Sequence, residues 1–290
     1  MQNDGVQSIG SYQQRHRELF DSDSAALDTD LLICHVLGKS RVYLYTHPEQ
    51  SLSKDQIAQL NALFERRRNG EPVAHLTGRS EFWSLPLASS AATLIPRPDT
   101  ECLVEAVLGL YPDNRPYRVL DLGTGTGAIA LALASERPDW DILGLDLSQD
   151  AVELAQMNAR NLGLERVRIA QSDWFSAVAG EAFDIIVSNP PYIEENDPHL
   201  QQGDVRFEPH TALVAGADGL SDIRRIASAA AAHLALAGRL VLEHGYRQAD
   251  AVAALLADNG FSAIESRRDY GGNVRVTIAQ RVSGEHSHAG

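Results

Sequence analysis

Val119-Leu120-Asp121-Leu122-Gly123-Thr124-Gly125-Thr126-Gly127-Ala128-Ile129-Ala130 reads as a short apolar strand, three alternating glycines and the start of an Ala-rich helix. Glycine permits the tight turn and lets a ligand approach the backbone. The helix that follows turns its positive end toward that ligand. The next apolar stretch, Ile142-Leu143-Gly144-Leu145-Asp146, ends on a carboxylate 19 residues after Gly127. That is close to the spacing of an acidic group that holds ribose hydroxyls. The glycines follow G-x-G-x-G, not the G-x-G-x-x-G of dinucleotide sites. With no pyrophosphate to cradle, the pattern fits S-adenosylmethionine better than a nicotinamide dinucleotide. Gly123, Thr124, Gly125, Thr126, Gly127 and Asp146 are therefore the expected cofactor-binding residues. A solvated strand-end aspartate is the plainer reading of Asp146.

Around this motif the chain alternates strand and helix. From Pro96 onward the hydrophobic spacing predicts helices over 99–110, 127–136, 149–162, 219–235 and 247–259. It predicts strands over 118–122, 141–146, 166–171, 183–188, 238–243, 261–268 and 273–280. The last two, joined through Gly271-Gly272, are expected to pair antiparallel. This order implies an α/β fold with a doubly wound seven-stranded sheet, whose ligands lie beyond the carboxyl ends of the strands. Asp121, Asp146, Asp173 and Asn189 fall at such ends and are expected to converge.

The first 75 residues read as helical. A short helix is expected around Tyr12–Phe20 and a second over 24–37, with Leu27, Leu31 and Cys34 on one face and Gly38 as its stop. Ser53 and Gln56 form a capping-box pair ahead of Ile57, Leu60 and Phe64. Residues 76–95 suggest a hairpin or extended linker. The expected organisation is a small N-terminal helical domain at 1–75, a linker at 76–95, the doubly wound domain at 96–282 and a polar tail at 283–290.

A second motif supplies chemistry. The apolar run Phe183-Asp184-Ile185-Ile186-Val187-Ser188 leads into Asn189-Pro190-Pro191-Tyr192. Each proline fixes its φ, lacks an N–H and forces the preceding residue into extended geometry. Backbone carbonyls at this corner therefore escape regular structure. Asn189 adds a side-chain oxygen and an NH2 group. A ligand NH2 placed here meets two acceptors, the Asn189 side chain and the Pro190 carbonyl, while Tyr192 is available to stack on the planar group that carries it. The corner is a site for a planar amine or amide nitrogen. A Pro-rich turn after a strand is the plain alternative.

Composition narrows the partners. The chain has 290 residues, 44% hydrophobic and 22% charged, as in an ordinary globular protein. A net charge of −14 and the lack of a broad basic stripe argue against holding duplex DNA. The cluster Arg66-Arg67-Arg68 ends a predicted helix, where it complements the dipole. No apolar run approaches the roughly 18 residues of a membrane span, and the N-terminus lacks a signal-peptide core. Cys34 and Cys102 suit packing as small hydrophobes, so the cytoplasm is the expected compartment. The ten histidines form no ligand spacing, and no metal is expected.

With both motifs in one chain, the sequence resembles the class I S-adenosylmethionine-dependent methyltransferases. It is most similar to the protein-(glutamine-N5) methyltransferases of peptide chain release factors, the HemK/PrmC family. The resemblance spans nearly the whole chain apart from the last ten residues. Besides the glycine turn and the corner it rests on Phe82-Trp83-Ser84-Leu85, Ile95-Pro96-Arg97-Pro98-Asp99-Thr100-Glu101, Gln171-Ser172-Asp173-Trp174-Phe175, Gln202-Gly203-Asp204-Val205-Arg206-Phe207-Glu208-Pro209 and Leu242-Glu243-His244-Gly245. It implies that the glycine turn and Asp146 bind the methionine and ribose parts of the cofactor and that Trp174 packs on adenine. It further implies that Asp173 or nearby backbone accepts from the adenine amine. Asn189, Pro190, Pro191 and Tyr192 would bind the substrate glutamine, with Asn189 and Pro190 catalytic and Asn189 also beside the cofactor. The implied substrate is the glutamine of the Gly-Gly-Gln loop in release factors. The helical domain is then the docking module of an enzyme expected to act as a monomer, without nucleic acid or membrane.

An amide nitrogen is a poor nucleophile because its lone pair is delocalised. Two acceptors on its NH2 would orient it and favour the positive charge that develops during attack. Three other readings remain open: a DNA adenine-N6 methyltransferase with a flipped base, a ribosomal-protein glutamine methyltransferase, and a module that only binds S-adenosylmethionine. Arg97 is expected either at the pocket mouth or in a salt bridge to Asp99 or Glu101. Glu243 either lines the pocket or caps a strand, and residues 202–210 either touch the substrate protein or form a surface loop.

Overall fold

A computed structural model describes residues 7–17, 24–113 and 115–282. The chain divides into two compact units, residues 1–79 with 201–207 and residues 80–200 with 208–290.

The smaller unit carries α1 (Ile9–His16), α2 (Ala25–Leu37), α3 (Arg41–Thr46), α4 (Lys54–Arg68) and α5 (Val73–Thr77). Ser8 caps α1, so this helix starts ahead of Tyr12 and ends at His16; Phe20 lies outside the described residues. The Ser53–Gln56 capping box is formed at α4, and Gly38 closes α2 in the left-handed conformation. The buried side of α2 differs from the expected one. Leu32 and Ile33 are fully buried, whereas Leu27 and Leu31 are 40% and 36% exposed. The reason is polar: Asp28 and Asp30 share the buried side. Asp28 pairs with Arg67 at 2.8 Å, and Asp30 accepts from Gln13 and Tyr45 at 2.7 Å each. Of the arginine cluster, Arg66 and Arg67 thus hold carboxylates, Glu71 and Asp28, besides meeting the helix end.

The expected linker is a two-stranded hairpin, β1 (Arg79–Phe82) and β2 (Leu85–Ala88). Its Phe82 and Leu87 are buried in the core of the larger unit. Asn158 clamps Ala88 from both sides, accepting from its N–H at 2.7 Å and donating to its carbonyl at 3.1 Å.

The larger unit continues with α6 (Glu101–Leu110), β3 (Arg118–Leu122), α7 (Ala128–Glu136), β4 (Asp141–Asp146), α8 (Gln149–Asn161), β5 (Arg168–Gln171), β6 (Phe183–Ser188), α9 (Ser221–His233), β7 (Leu234–Glu243), α10 (Ala249–Asp258), β8 (Phe261–Arg268) and β9 (Val274–Arg281). The seven strands lie in the order β5-β4-β3-β6-β7-β9-β8. The first five run parallel, while β9 is antiparallel to both β7 and β8. Alternation along β3 explains the two layers. Val119 packs into an apolar cluster with α6 and α7, while Leu120 and Leu122 pack into another with α9 and α10. Each such fully buried aliphatic side chain contributes about 1.5–3 kcal/mol.

Strand β7 begins four residues before the expected 238. Its register with β6 slips between Phe183 and Ile185, opposite Ala237 at φ +62. A bulge of this kind leaves the inserted residues unpaired and bends the strand. The chain runs from β3 outward to β4 and β5, then returns to the other side of β3 with β6. The direction of winding therefore reverses between β3 and β6, where a doubly wound sheet opens its ligand crevice. No helix is long and apolar enough to cross a membrane among the described residues.

Candidate active site

A cleft of about 420 Å³ opens at that reversal. Gly123, Thr124, Gly125, Thr126, Asp146, Trp174, Asn189 and Pro191 all line it. Gly127, Pro190 and Tyr192 do not.

The glycine turn needs its glycines. Gly123, Gly125 and Gly127 have φ of +71°, +55° and +82°. A Cβ at Gly125 would meet no protein atom within 4 Å, so the backbone there is bare toward the cleft. Gly127 instead caps α7 from outside the lining. Gly123 and Thr124 donate to the Leu145 carbonyl at 2.8 and 2.9 Å, which fastens the turn to β4. Asp146 completes the fastening. Its Oδ2 accepts from the Gly125 N–H at 2.8 Å and its Oδ1 from the Ser148 N–H at 2.9 Å. Burial raises the Asp146 pKa, and the N–H groups of Ser148, Gly125 and Leu147 oppose that rise. This carboxylate is held in place, which the plainer reading of a solvated strand end does not describe.

Below the turn, Thr124 donates to Asp121 Oδ2 at 2.6 Å. Asp121 is fully buried, and its Oδ1 has no hydrogen-bond partner among the described residues. Burial pushes its pKa up to about 7. Asp121 thus supports the turn from beneath and stays out of the cleft lining.

Trp174 lies on the cleft wall at φ +48, with its backbone carbonyl held by Ser172 Oγ at 2.8 Å. Asp173 also lines the cleft, but both its carboxylate oxygens are taken by Arg225 at 2.9 and 3.1 Å.

At the corner, Asn189 Nδ2 donates to Thr100 Oγ1 at 3.1 Å. In this arrangement the amide nitrogen faces Thr100. Asn189 Oδ1 is then the group left for a ligand. Pro190 is buried beneath the corner, and among the described residues no donor takes its carbonyl. The Tyr192 ring packs against the apolar cluster below the sheet, and its hydroxyl donates to Glu243 Oε1 at 3.4 Å. Tyr192 is not part of the cleft lining.

Arg97 lines the cleft and pairs with Glu208, not with Asp99 or Glu101. Both Glu208 oxygens lie 2.8 Å from Arg97 Nη2, and Oε1 also accepts from the Ile95 N–H at 3.2 Å. The pair joins positions more than a hundred residues apart, so neighbours in sequence offered no clue to it. Glu208 belongs to the larger unit while residues 201–207 belong to the smaller one.

Thr100 was not given a role from sequence, while Glu243 was expected to line the pocket or cap the strand, and Asp121 to converge with the other strand-end residues. Thr100 lines the cleft. Glu243 is 1% exposed, and burial pushes its pKa up to about 7 against the opposing effects of Thr100 and Arg275. The sequence signal for Thr100 was its place at a helix start, within Ile95-Pro96-Arg97-Pro98-Asp99-Thr100-Glu101.

Comparison with known proteins places both parts of the chain in one family. The PrmC N-terminal domain matches residues 13–78, and the Methyltransferase small domain matches residues 100–205. A release factor glutamine methyltransferase of Escherichia coli (strain K12) is 56% identical over 91% of this chain and 95% of its own. One from Salmonella typhimurium is 55% identical over the same shares. A solved methyltransferase of Pyrococcus furiosus aligns with a TM-score of 0.53 at 15% identity, over 80% of this chain and 100% of that one, a likeness of fold. On the strength of its close relatives across both units, the chain belongs to the release factor glutamine methyltransferase family.

Proposed function

We propose that this chain transfers a methyl group from S-adenosylmethionine to the side-chain amide nitrogen of the glutamine in the Gly-Gly-Gln loop of peptide chain release factors. The observation that carries the reading is the place of Asn189 in one cleft with the glycine turn, Asp146 and Trp174, its amide within hydrogen-bond reach of Thr100 and open to a ligand.

The residues present fit the cofactor. A bare glycine turn, a helix N-terminus, a fixed carboxylate and the aromatic face of Trp174 surround one cleft. Asp146 spends one lone pair of each oxygen on backbone N–H groups and keeps others for ribose hydroxyls. Bound there, S-adenosylmethionine supplies a methyl group already activated by a sulfonium. Asn189 Oδ1 and the Pro190 carbonyl accept from the glutamine NH2 and orient its nitrogen. Positive charge that develops on this nitrogen is stabilised by oxygens already in place. The methylated amide then loses its extra proton to water.

The helical unit serves docking of the intact release factor, for which a three-residue loop offers too little area. A release-factor substrate supports a cytoplasmic location for the reaction. Incubation of the enzyme with release factor and S-adenosylmethionine, followed by mass spectrometry of the loop peptide, tests the reading. A methyl group on the loop glutamine supports it. Methylation of a ribosomal-protein glutamine or of DNA adenine at a comparable rate would replace it.

A further inference from the structure

Three backbone carbonyls converge on the side chain of Gln248, the half-buried residue ahead of α10. Its Nε2 donates to the Tyr192 carbonyl at 3.1 Å and to the Gly219 and Asp218 carbonyls at 3.3 and 3.4 Å. Its Oε1 accepts from the Gly245 N–H at 2.8 Å. Each partner is a backbone group that can only accept or only donate, so together they fix the direction of this amide. The approach is close enough to require a glycine. At Gly219, φ is +68, and a Cβ would sit 2.3 Å from the Tyr192 carbonyl oxygen and 2.7 Å from Gln248 Nε2. Carbonyls drawn to one spot in this way need a donor among them.

Tyr192 is the last residue of the corner, and the corner depends on its ends. Pro190 and Pro191 have no N–H, so no bond donated from their own backbone can hold them. On the β6 side, Ser188 Oγ donates to the Leu122 carbonyl at 2.7 Å, and the Asn189 amide lies 3.1 Å from Thr100 Oγ1. On the far side, Ile193 donates to Leu213 at 2.9 Å and accepts from Ala215 at 3.0 Å, while Gln248 holds the carbonyl of Tyr192 itself. With φ fixed at both prolines, a shift of the Tyr192 peptide carries back to Pro190 and Asn189.

We propose that Gln248 is a positioning residue for methyl transfer, which sets the Asn189 amide and the Pro190 carbonyl by clamping the Tyr192 carbonyl to the loops that lead into α9 and α10. This inference rests on the reading of the corner as the glutamine site. Gln248 lies outside the cleft lining, so it acts through the corner and not on a ligand. Without its NH2 group the Tyr192, Gly219 and Asp218 carbonyls would face one another with no proton among them, and the corner would move to separate them.

The test uses full-length protein with two substitutions. Gln248→Met removes both halves of the amide. Gln248→Glu keeps its outline and the acceptor for Gly245 but turns an acceptor on the three carbonyls. Single-turnover transfer to the loop glutamine of intact release factor is measured at saturating S-adenosylmethionine, with cofactor affinity by calorimetry. Wild type comes first: failure to methylate the glutamine would sink the functional reading itself. Given wild-type transfer, both variants should be slowed about tenfold or more with cofactor affinity unchanged, because a small misplacement of reacting groups costs that much. Gln248→Glu should be at least as slow as Gln248→Met, although it is the closer match in shape. In an Asn189→Ala background, Gln248→Met should cost less than it does alone, since a group it positions is already gone. The wild-type protein offers a check that no variant's folding can spoil: the Gly245 N–H, held by Gln248 Oε1, should exchange slowly with deuterium. Wild-type rates in Gln248→Met, a Gln248→Glu faster than Gln248→Met, an undiminished loss in Asn189→Ala, or fast exchange at Gly245 would overturn the proposal.

Discussion

Asp146 Oδ2 accepts the Gly125 N–H at 2.8 Å, so the carboxylate that ends β4 also pins the middle of the glycine turn. One residue thereby shapes the turn and faces the cleft. Asp146→Ala should lose both roles. Each hydrogen bond to a charged acceptor is worth about 1.5–3 kcal/mol, so affinity for S-adenosylmethionine should drop at least about tenfold. Calorimetry on the folded variant checks this, and an unchanged affinity would remove Asp146 from the cofactor site.

Gly127 tests the backbone of the same turn. At φ +82, a Cβ would sit 3.0 Å from Leu131 Cδ1 and 3.3 Å from the Ala155 Cβ. Gly127→Ala should destabilise the protein by about 1–2 kcal/mol from the left-handed conformation alone. Urea unfolding measures the loss; equal midpoints would show that the turn relaxes freely.

The fold was legible where local pattern and burial agree. The apolar runs of β3, β4 and β6 and the capping box at Ser53 gave elements close to those observed. The cofactor half of the cleft was legible for the same reason, since its residues lie within one strand–turn–helix unit and the strand beside it. What lay hidden depends on partners distant in sequence. Arg97 meets Glu208, and Asn189 meets Thr100, through folding that no local spacing encodes. The buried side of α2 was misjudged because Asp28 and Asp30 break its apolar pattern while being satisfied by Arg67, Gln13 and Tyr45.

Arg97→Ala should destabilise the larger unit, because the Glu208 side chain is fully buried against it. A fully buried pair broken on one side costs about 3–5 kcal/mol. Arg97 is 33% exposed and partly screened, so a loss of about 2 kcal/mol is expected here. Thermal and urea unfolding report it, and a change within about 0.5 kcal/mol would mark the pair as dispensable.

Two buried carboxyls should make stability fall as pH rises. Asp121 and Glu243 are both pushed up to about 7 by burial, above the roughly 4 of the unfolded chain. Raised values mean that the native state holds protons the unfolded state has released. Their stabilising contribution is complete below about pH 4 and is lost as pH climbs through about 7. For Glu243 the groups around it are Thr100, Arg275, Asp99, Tyr192 and Cys102. Unfolding free energy followed between pH 5 and 7 should decline, and Asp121→Asn should flatten part of that slope. An identical slope in the variant would take Asp121 out of this linkage.

Docking by the helical unit can be tested on its surface. Val42 in α3 is 70% exposed. Val42→Asp should raise KM for intact release factor and leave KM for a short Gly-Gly-Gln peptide unchanged. An equal effect on both would point to stability as the unit's role, and no effect on either would move the docking surface elsewhere.

The central claim is that the Asn189 corner holds the glutamine NH2 through the Asn189 oxygen. Its most direct test is the single-turnover rate of methyl transfer to the release-factor loop glutamine, read by mass spectrometry, in wild type, Asn189→Ala and Asn189→Asp. Loss of one preorganised polar group costs about 10²-fold or more, and Asn189→Ala should be slowed on that scale with cofactor binding intact. Asn189→Asp keeps an acceptor but cannot donate to Thr100, and it sets a negative charge in the cleft; it should fail nearly as badly. Wild-type-like rates for both variants would mean that the corner is only a turn and would contradict the account.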